Sequence, residues 1–213
     1  MLGLAKHLKE IEQHDPALLA AYRRKLTDPN LGNFVGTRFE IYTAASLIRG
    51  GVQFQRRSQG GPDFVLVGRF AGLGVECASL HLVDPTKGGY AVDKLADVVE
   101  VKAAKDYAIS TNVLALDTTN IQAASIDHAA QPAIDPANVD RLADIVNSSG
   151  FGSLLCFWTQ NTVESGKVVA STARYARIDC DDVPDDLERF LDAVYSGRGH
   201  QGDPPNWQVP FLT

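Results

Sequence analysis

The stretch that most constrains this chain is GGPDFVLVGRFAGLGVECASLHL, residues 60–82. It holds two apolar runs, DFVLV and LGVECASLHL, joined by the short link GRFAG. Apolar runs bounded by glycine and proline read as β-strands. A link this short suits antiparallel neighbours, since a parallel pair needs a long crossover. Each run carries one acid: Asp63 opens the first and Glu76 lies inside the second. A carboxylate inside an apolar strand loses its hydration shell and costs stability. Antiparallel pairing sets the two acids on adjacent strands, close enough to repel and to split their pKa values. A divalent cation removes that repulsion, and hard carboxylate oxygens suit magnesium or manganese.

The flanking sequence places this pair within an α/β chain. The first ~30 residues read as helical, with Leu4, Leu8 and Ile11 at helical spacing and PALLAAYRRKL opening on a first-turn proline. DPNLG breaks the pattern. A longer helix fits NFVGTRFEIYTAASLIRGG, with Asn33 as N-cap and Gly50-Gly51 as its stop. Glu40 lies on a stripe of small residues there, apart from the apolar stripe. VQFQRR alternates as a strand. After the acids, AVDKLADVVEVKAAKDYA has helical periodicity, with Lys94, Val98, Lys102 and Lys105 on a stripe beside the apolar one. NVLALDTT reads as a buried strand, and residues 120–138 as a mobile loop with some helix. VDRLADIVNSS is a short helix, GSLLCFWTQ and KVVASTARYARID a hairpin pair, and PDDLERFLDAVYSG a last helix with acids at its N-terminal end. The order implies one domain over residues 1–213, an α/β fold with a mixed central sheet flanked by helices. Residues 1–30 form a helical appendage to it and residues 197–213 an irregular tail.

Composition narrows the partners. The formal net charge is −6, which argues against binding nucleic acid through bulk positive charge and leaves room for local basic patches. The N-terminal residues lack the apolar core of a signal peptide. No apolar run approaches the ~18 residues that span a bilayer. Three cysteines without a CxxC pair read as buried thiols in a reducing compartment, so a cytoplasmic location is expected. The five histidines show no zinc spacing, and no phosphate-binding GxxxxGK[ST] loop or GxSxG elbow occurs.

GPDF, a glycine-rich gap and GVECAS together resemble the core motif of the PD-(D/E)XK nuclease superfamily, whose fold is restriction-endonuclease-like. In that family an acid after proline opens one strand, and a second acid follows on the next strand, with a lysine two residues on. The preceding helix often supplies a glutamate, the role Glu40 in TRFEIYTAASLIRGG matches. KAAKDYAISTNVLALDTT resembles the helix and apolar strand that follow. The resemblance covers residues 33–119. It implies Mg²⁺ or Mn²⁺ held by Asp63, Glu76 and the backbone carbonyl of Cys77, with Glu40 binding directly or through water. It implies hydrolysis of phosphodiester bonds, in DNA more than RNA, and a homodimer or larger complex as a frequent setting. Ala78 stands where the family has its lysine. The charge must then come from Lys102 or Lys105 on the following helix; otherwise the chain is a non-cleaving relative that binds nucleic acid or protein. Arg56 and Arg57, just before the Asp63 strand, are placed to grip a phosphate backbone.

Each of these residues also has a plainer reading. Asp63 serves as a turn residue at the start of a strand, and Glu76 as the partner of a nearby lysine or arginine. Glu40 and the lysines of the following helix then belong to solvated faces. Arg56 and Arg57 become ordinary surface charges.

Overall fold

The computed structural model describes residues 2–57, 60–82, 91–127, 132–164 and 167–195. The expected tail at 197–213 lies outside them, as do the DPTKGG turn, His128 and His200. Three helices come first: α1 (Leu2–His14), α2 (Pro16–Leu26) and α3 (Leu31–Arg49). They are followed by β1 (Phe54–Arg56), β2 (Phe64–Leu66), β3 (Gly74–Ser79), α4 (Ala91–Ala103) and β4 (Asn112–Asp117). Then come α5 (Thr119–Asp127), α6 (Val139–Ser149), β5 (Ser153–Glu164), β6 (Lys167–Asp179) and α7 (Asp185–Val194).

The strands form a six-stranded sheet in chain order, β1 to β6. β1, β2 and β3 pair antiparallel, β3–β4 and β4–β5 pair parallel, and β5–β6 is an antiparallel hairpin. Helices cover both faces, as the alternation of elements implies. The odd-numbered side chains Val75, Cys77, Val113, Ala115, Leu155 and Phe157 pack toward α1, α2, α3 and α7. The even-numbered Leu114, Leu116, Leu154 and Cys156 pack toward α4, α5 and α6. β4 is buried along its whole length, so it reads in sequence as an unbroken apolar run rather than an alternation.

Several boundaries differ from expectation, each for a local reason. The N-cap of α3 is Asn30, not Asn33: its side chain accepts from the amides of Gly32 and Asn33, which starts the helix earlier. α1 and α2 do not hang off the domain. Ile11, Leu18, Leu19 and Tyr22 are buried in the same core cluster as Phe39 and Ile41 of α3. Residues 119–127 form the helical part of the stretch expected to be a loop with some helix. Downstream, Ile134 is tied back to α5: its amide donates to Gln122 Oε1 at 3.3 Å, and Gln122 Nε2 donates to its carbonyl at 3.4 Å. α4 ends at Ala103, not at Ala108.

Candidate active site

β2 is short, and its ladder with β3 registers Phe64 opposite Val75 and Val65 opposite Gly74. Beyond Val75 the β2 side of β3 needs other partners for its amides. Asp63, just ahead of β2, supplies one: its Oδ2 accepts from the Cys77 amide at 2.9 Å. Glu76 returns the contact, its Oε2 accepting from the Asp63 amide at 3.1 Å. The two acids thus interlock across adjacent strands. Gly74 permits the close approach. A Cβ there would lie 2.5 Å from Asn112 Oδ1 and 2.6 Å from Pro62 Cγ.

Glu76 is 4% exposed. Its Oε1 takes an ion pair from Lys102 Nζ and a hydrogen bond from the Tyr107 hydroxyl at 3.0 Å. Lys102 sits in the last turn of α4, where the helix dipole favours a cation. Ala78, on the same strand face as Glu76, packs against the core cluster beneath α4. A lysine at 78 would have to displace that packing, whereas a lysine at the end of α4 reaches Glu76 directly. Tyr107 was not foreseen in the sequence. The helical periodicity extrapolated to Ala108 gave it no special place. It follows the end of α4 in a turn whose carbonyl accepts from Asn112 Nδ2 at 2.8 Å. The signal was the polar KDY step between helix and strand, where a site-facing side chain would emerge.

Asp63 and Glu76 line an open cavity of about 780 Å³ together with Arg57, Lys105, Tyr107 and Asn112. Burial, then the charges of Glu76 and Glu40, push the Asp63 carboxyl up to about 7. The Cys77 amide and Lys102 act the other way and do not offset this. Burial and the Glu76 charge raise the Tyr107 hydroxyl, which stays a protonated donor at neutral pH.

Glu40 stands apart from the interlocked pair. Its Oε1 takes Lys25 Nζ at 2.8 Å, and its Oε2 takes Arg56 Nε at 3.2 Å and Nη2 at 3.0 Å. Arg56 has a side-chain exposure of only 15% and lies 5.4 Å from the Tyr22 ring centroid. Its guanidinium is thus committed inward, while Arg57 lines the cavity and donates to the Gly60 carbonyl at 3.3 Å. Cys77 contacts the site through its amide, and its buried thiol lies 3.5 Å from Thr43 Oγ1. His81 is exposed past the end of β3.

Asp63 and Glu76 suit a hard divalent cation. Both line one open cavity, and burial first, then the neighbouring Glu76 and Glu40 charges, raises the Asp63 carboxyl, so a cation there would ease the second of these causes. They would make a two-carboxylate site with the remaining positions left to water and phosphate. Among the described residues, no three His, Cys, Asp or Glu side chains converge at metal-binding spacing. Comparisons with protein-family models, curated proteins and solved structures gave no match to this chain.

Proposed function

We propose that this protein is a metal-dependent nuclease of the PD-(D/E)XK type that hydrolyses phosphodiester bonds, in DNA more than RNA. The observation that carries the reading is Lys102. The resemblance lacked one group, the lysine expected at 78, and a lysine amine from α4 lies on the Glu76 carboxylate. The order α3, β1, β2, β3, α4, β4 supports the same reading, because it repeats the helix, three strands, helix and strand of the family core.

Asp63 and Glu76 would hold Mg²⁺ or Mn²⁺. When bound, the ion supplies an acidified water and neutralises charge building on the phosphate. The chain's own groups set the rest. Tyr107 and Lys102 fix the Glu76 carboxylate in one orientation, and Lys102 would supply positive charge beside that carboxylate as phosphate oxygens become more negative. Arg57 and Lys105, on the wall of the cavity, attract the phosphate backbone despite the acidic net charge. Glu40, though paired with Lys25 and Arg56, still adds to the negative charge that raises the Asp63 carboxyl.

One observation favours a second reading. Glu76 and Glu40 are both already paired with cations, the arrangement a non-cleaving, nucleic-acid- or protein-binding relative would retain. Cleavage assays with Mg²⁺ or Mn²⁺ on plasmid, linear duplex and single-stranded DNA separate the two. Metal-dependent cleavage that disappears in Glu76→Gln and in Lys102→Met supports the nuclease. Equal cleavage by wild type and Glu76→Gln, or none by either, rejects it.

A further inference from the structure

The cavity of Asp63 and Glu76 has an apolar side that metal chemistry leaves unused, lined by Val65 and Ile109. In β2, Phe64 and Leu66 pack into the core, so Val65 faces the other way. It stands opposite Gly74, which has no side chain to cover it. Ile109 is 49% exposed, one of two large apolar side chains left in solvent among the described residues. Its backbone is fixed: its amide donates to the Tyr107 carbonyl at 3.0 Å, and its carbonyl accepts from the Asn112 amide at 2.9 Å. Asn112 sets a polar group beside this apolar side. Its Nδ2 donates to the Tyr107 carbonyl at 2.8 Å, which assigns the two ends of the side-chain amide. Oδ1 lies over Gly74, 2.5 Å from where a Cβ would stand, and accepts no hydrogen bond among the described residues. Asn112 is 4% exposed and lines the cavity, so a donor for that oxygen has to come from the cavity.

Each feature selects part of a ligand. Apolar side chains cover the flat face of a nucleobase, and a fixed acceptor takes an N–H from its Watson–Crick edge. Every base carries such an N–H. In a duplex that edge is paired and that face is stacked, so both are open only in an unpaired base. Gly74 and Glu76 are next neighbours on one face of β3, about 7 Å apart along the strand. The acceptor over Gly74 is therefore one side chain away from the carboxylates, as a base is one sugar away from its phosphate. The wall adds two cations, Arg57 and Lys105, and one acid, Asp106. That is little charge for a duplex, whose two backbones are held chiefly by neutralising phosphates.

We infer that this cavity takes an unpaired nucleobase beside the two carboxylates, against Ile109 and Val65 with its edge on Asn112 Oδ1, so that the preferred substrate is a single strand or an unpaired stretch within a duplex. Ile109 is then the residue that sets specificity for strand state. The inference deepens the nuclease reading and rests on it for which strand is cut, while the base contact itself is read separately by binding.

The test compares three DNA substrates under Mg²⁺: a single-stranded oligonucleotide, its perfect duplex, and the same duplex with a central unpaired bubble. The single strand and the bubble should be cut with kcat/KM at least about tenfold above the perfect duplex. Ile109→Ser should reduce that preference about fivefold, and Ile109→Leu should keep it. Both variants should unfold in urea as wild type does, because the side chain is half in solvent. Fluorescence anisotropy in EDTA, where no metal-dependent cleavage occurs, reads binding of the single strand and the duplex. Equal cleavage of single strand and perfect duplex, or a preference that Ile109→Ser leaves unchanged, overturns the inference and leaves the nuclease reading standing. No cleavage of any substrate, with single-strand-preferring binding that Ile109→Ser weakens, supports the base site and overturns the nuclease reading. No cleavage and no such binding overturns both.

Discussion

Replacing Asp63 by asparagine should stabilise the protein, and only above acid pH. The Asp63 carboxyl titrates near 7 in the folded chain against an ordinary value of 3.8. The folded protein therefore keeps a proton that the unfolded chain has already released. Stability is highest below pH 4, falls as the pH rises toward 7, and levels off above it. The full difference of about three pKa units corresponds to about 4 kcal/mol at pH 8, an upper bound because the group faces an open cavity. At pH 5 the cost is only about 1.5 kcal/mol, so wild type should lose roughly 2–3 kcal/mol between pH 5 and pH 8 through this one group. Asparagine keeps the bond from the Cys77 amide through its side-chain oxygen and carries no charge. Urea unfolding of wild type and Asp63→Asn at both pH values measures the difference directly. The variant's advantage should grow by about 2 kcal/mol from pH 5 to pH 8. On the proposed metal reading it should shrink when Mg²⁺ is added, because the variant lacks one of the two carboxylates that would hold the cation. Parallel pH profiles for the two proteins would refute the argument that burial and neighbouring charge raise the Asp63 carboxyl.

Other perturbations address separate links. Lys102→Met should cost about 2–3 kcal/mol, because it leaves Glu76 buried with the Tyr107 hydroxyl and the Asp63 amide but no cation, and Lys102→Met with Glu76→Gln should recover most of that in the same unfolding assay. Lys105→Ala should leave stability within about 0.5 kcal/mol of wild type and raise the KM for DNA more than it lowers kcat. Tyr107→Phe keeps the ring and removes the donor to Glu76, so kcat should fall about tenfold with little change in KM. Gly74→Ala drives a methyl into Asn112 and Pro62 and should destabilise the fold by about 2 kcal/mol by urea titration.

The mixed sheet and the pairing of Asp63 with Glu76 were legible because both depend on local spacing. GRFAG is too short for anything but adjacent antiparallel strands, and that adjacency carries the acids together. The helix–strand alternation after β3 likewise forces parallel crossovers. What escaped depends on contacts between residues far apart in the chain. Lys102 and Lys105 were indistinguishable in sequence because both fall on one helical stripe, and only the end of α4 at Ala103 assigns Lys102 to Glu76 and leaves Lys105 on the cavity wall. Arg56 read as a surface cation because its partner, Glu40, lies sixteen residues away on another element. The stretch 120–138 read as a loop with some helix, and the bounds of its helix were not legible because they rest on burial of Ile121 and Ala124 rather than on amphipathic periodicity.

The ion pair from Lys25 to Glu40 joins the N-terminal helices to the chemistry of the sheet. A fragment begun after α2 would lose more than the apolar side chains of Ile11, Leu18, Leu19 and Tyr22. It would lose one of the two cations that neutralise Glu40, and with it part of the charge balance around Asp63. The smallest unit that keeps both the fold and the titration of its acids therefore begins in α1, and an excised sheet with its central helices would be a differently charged molecule.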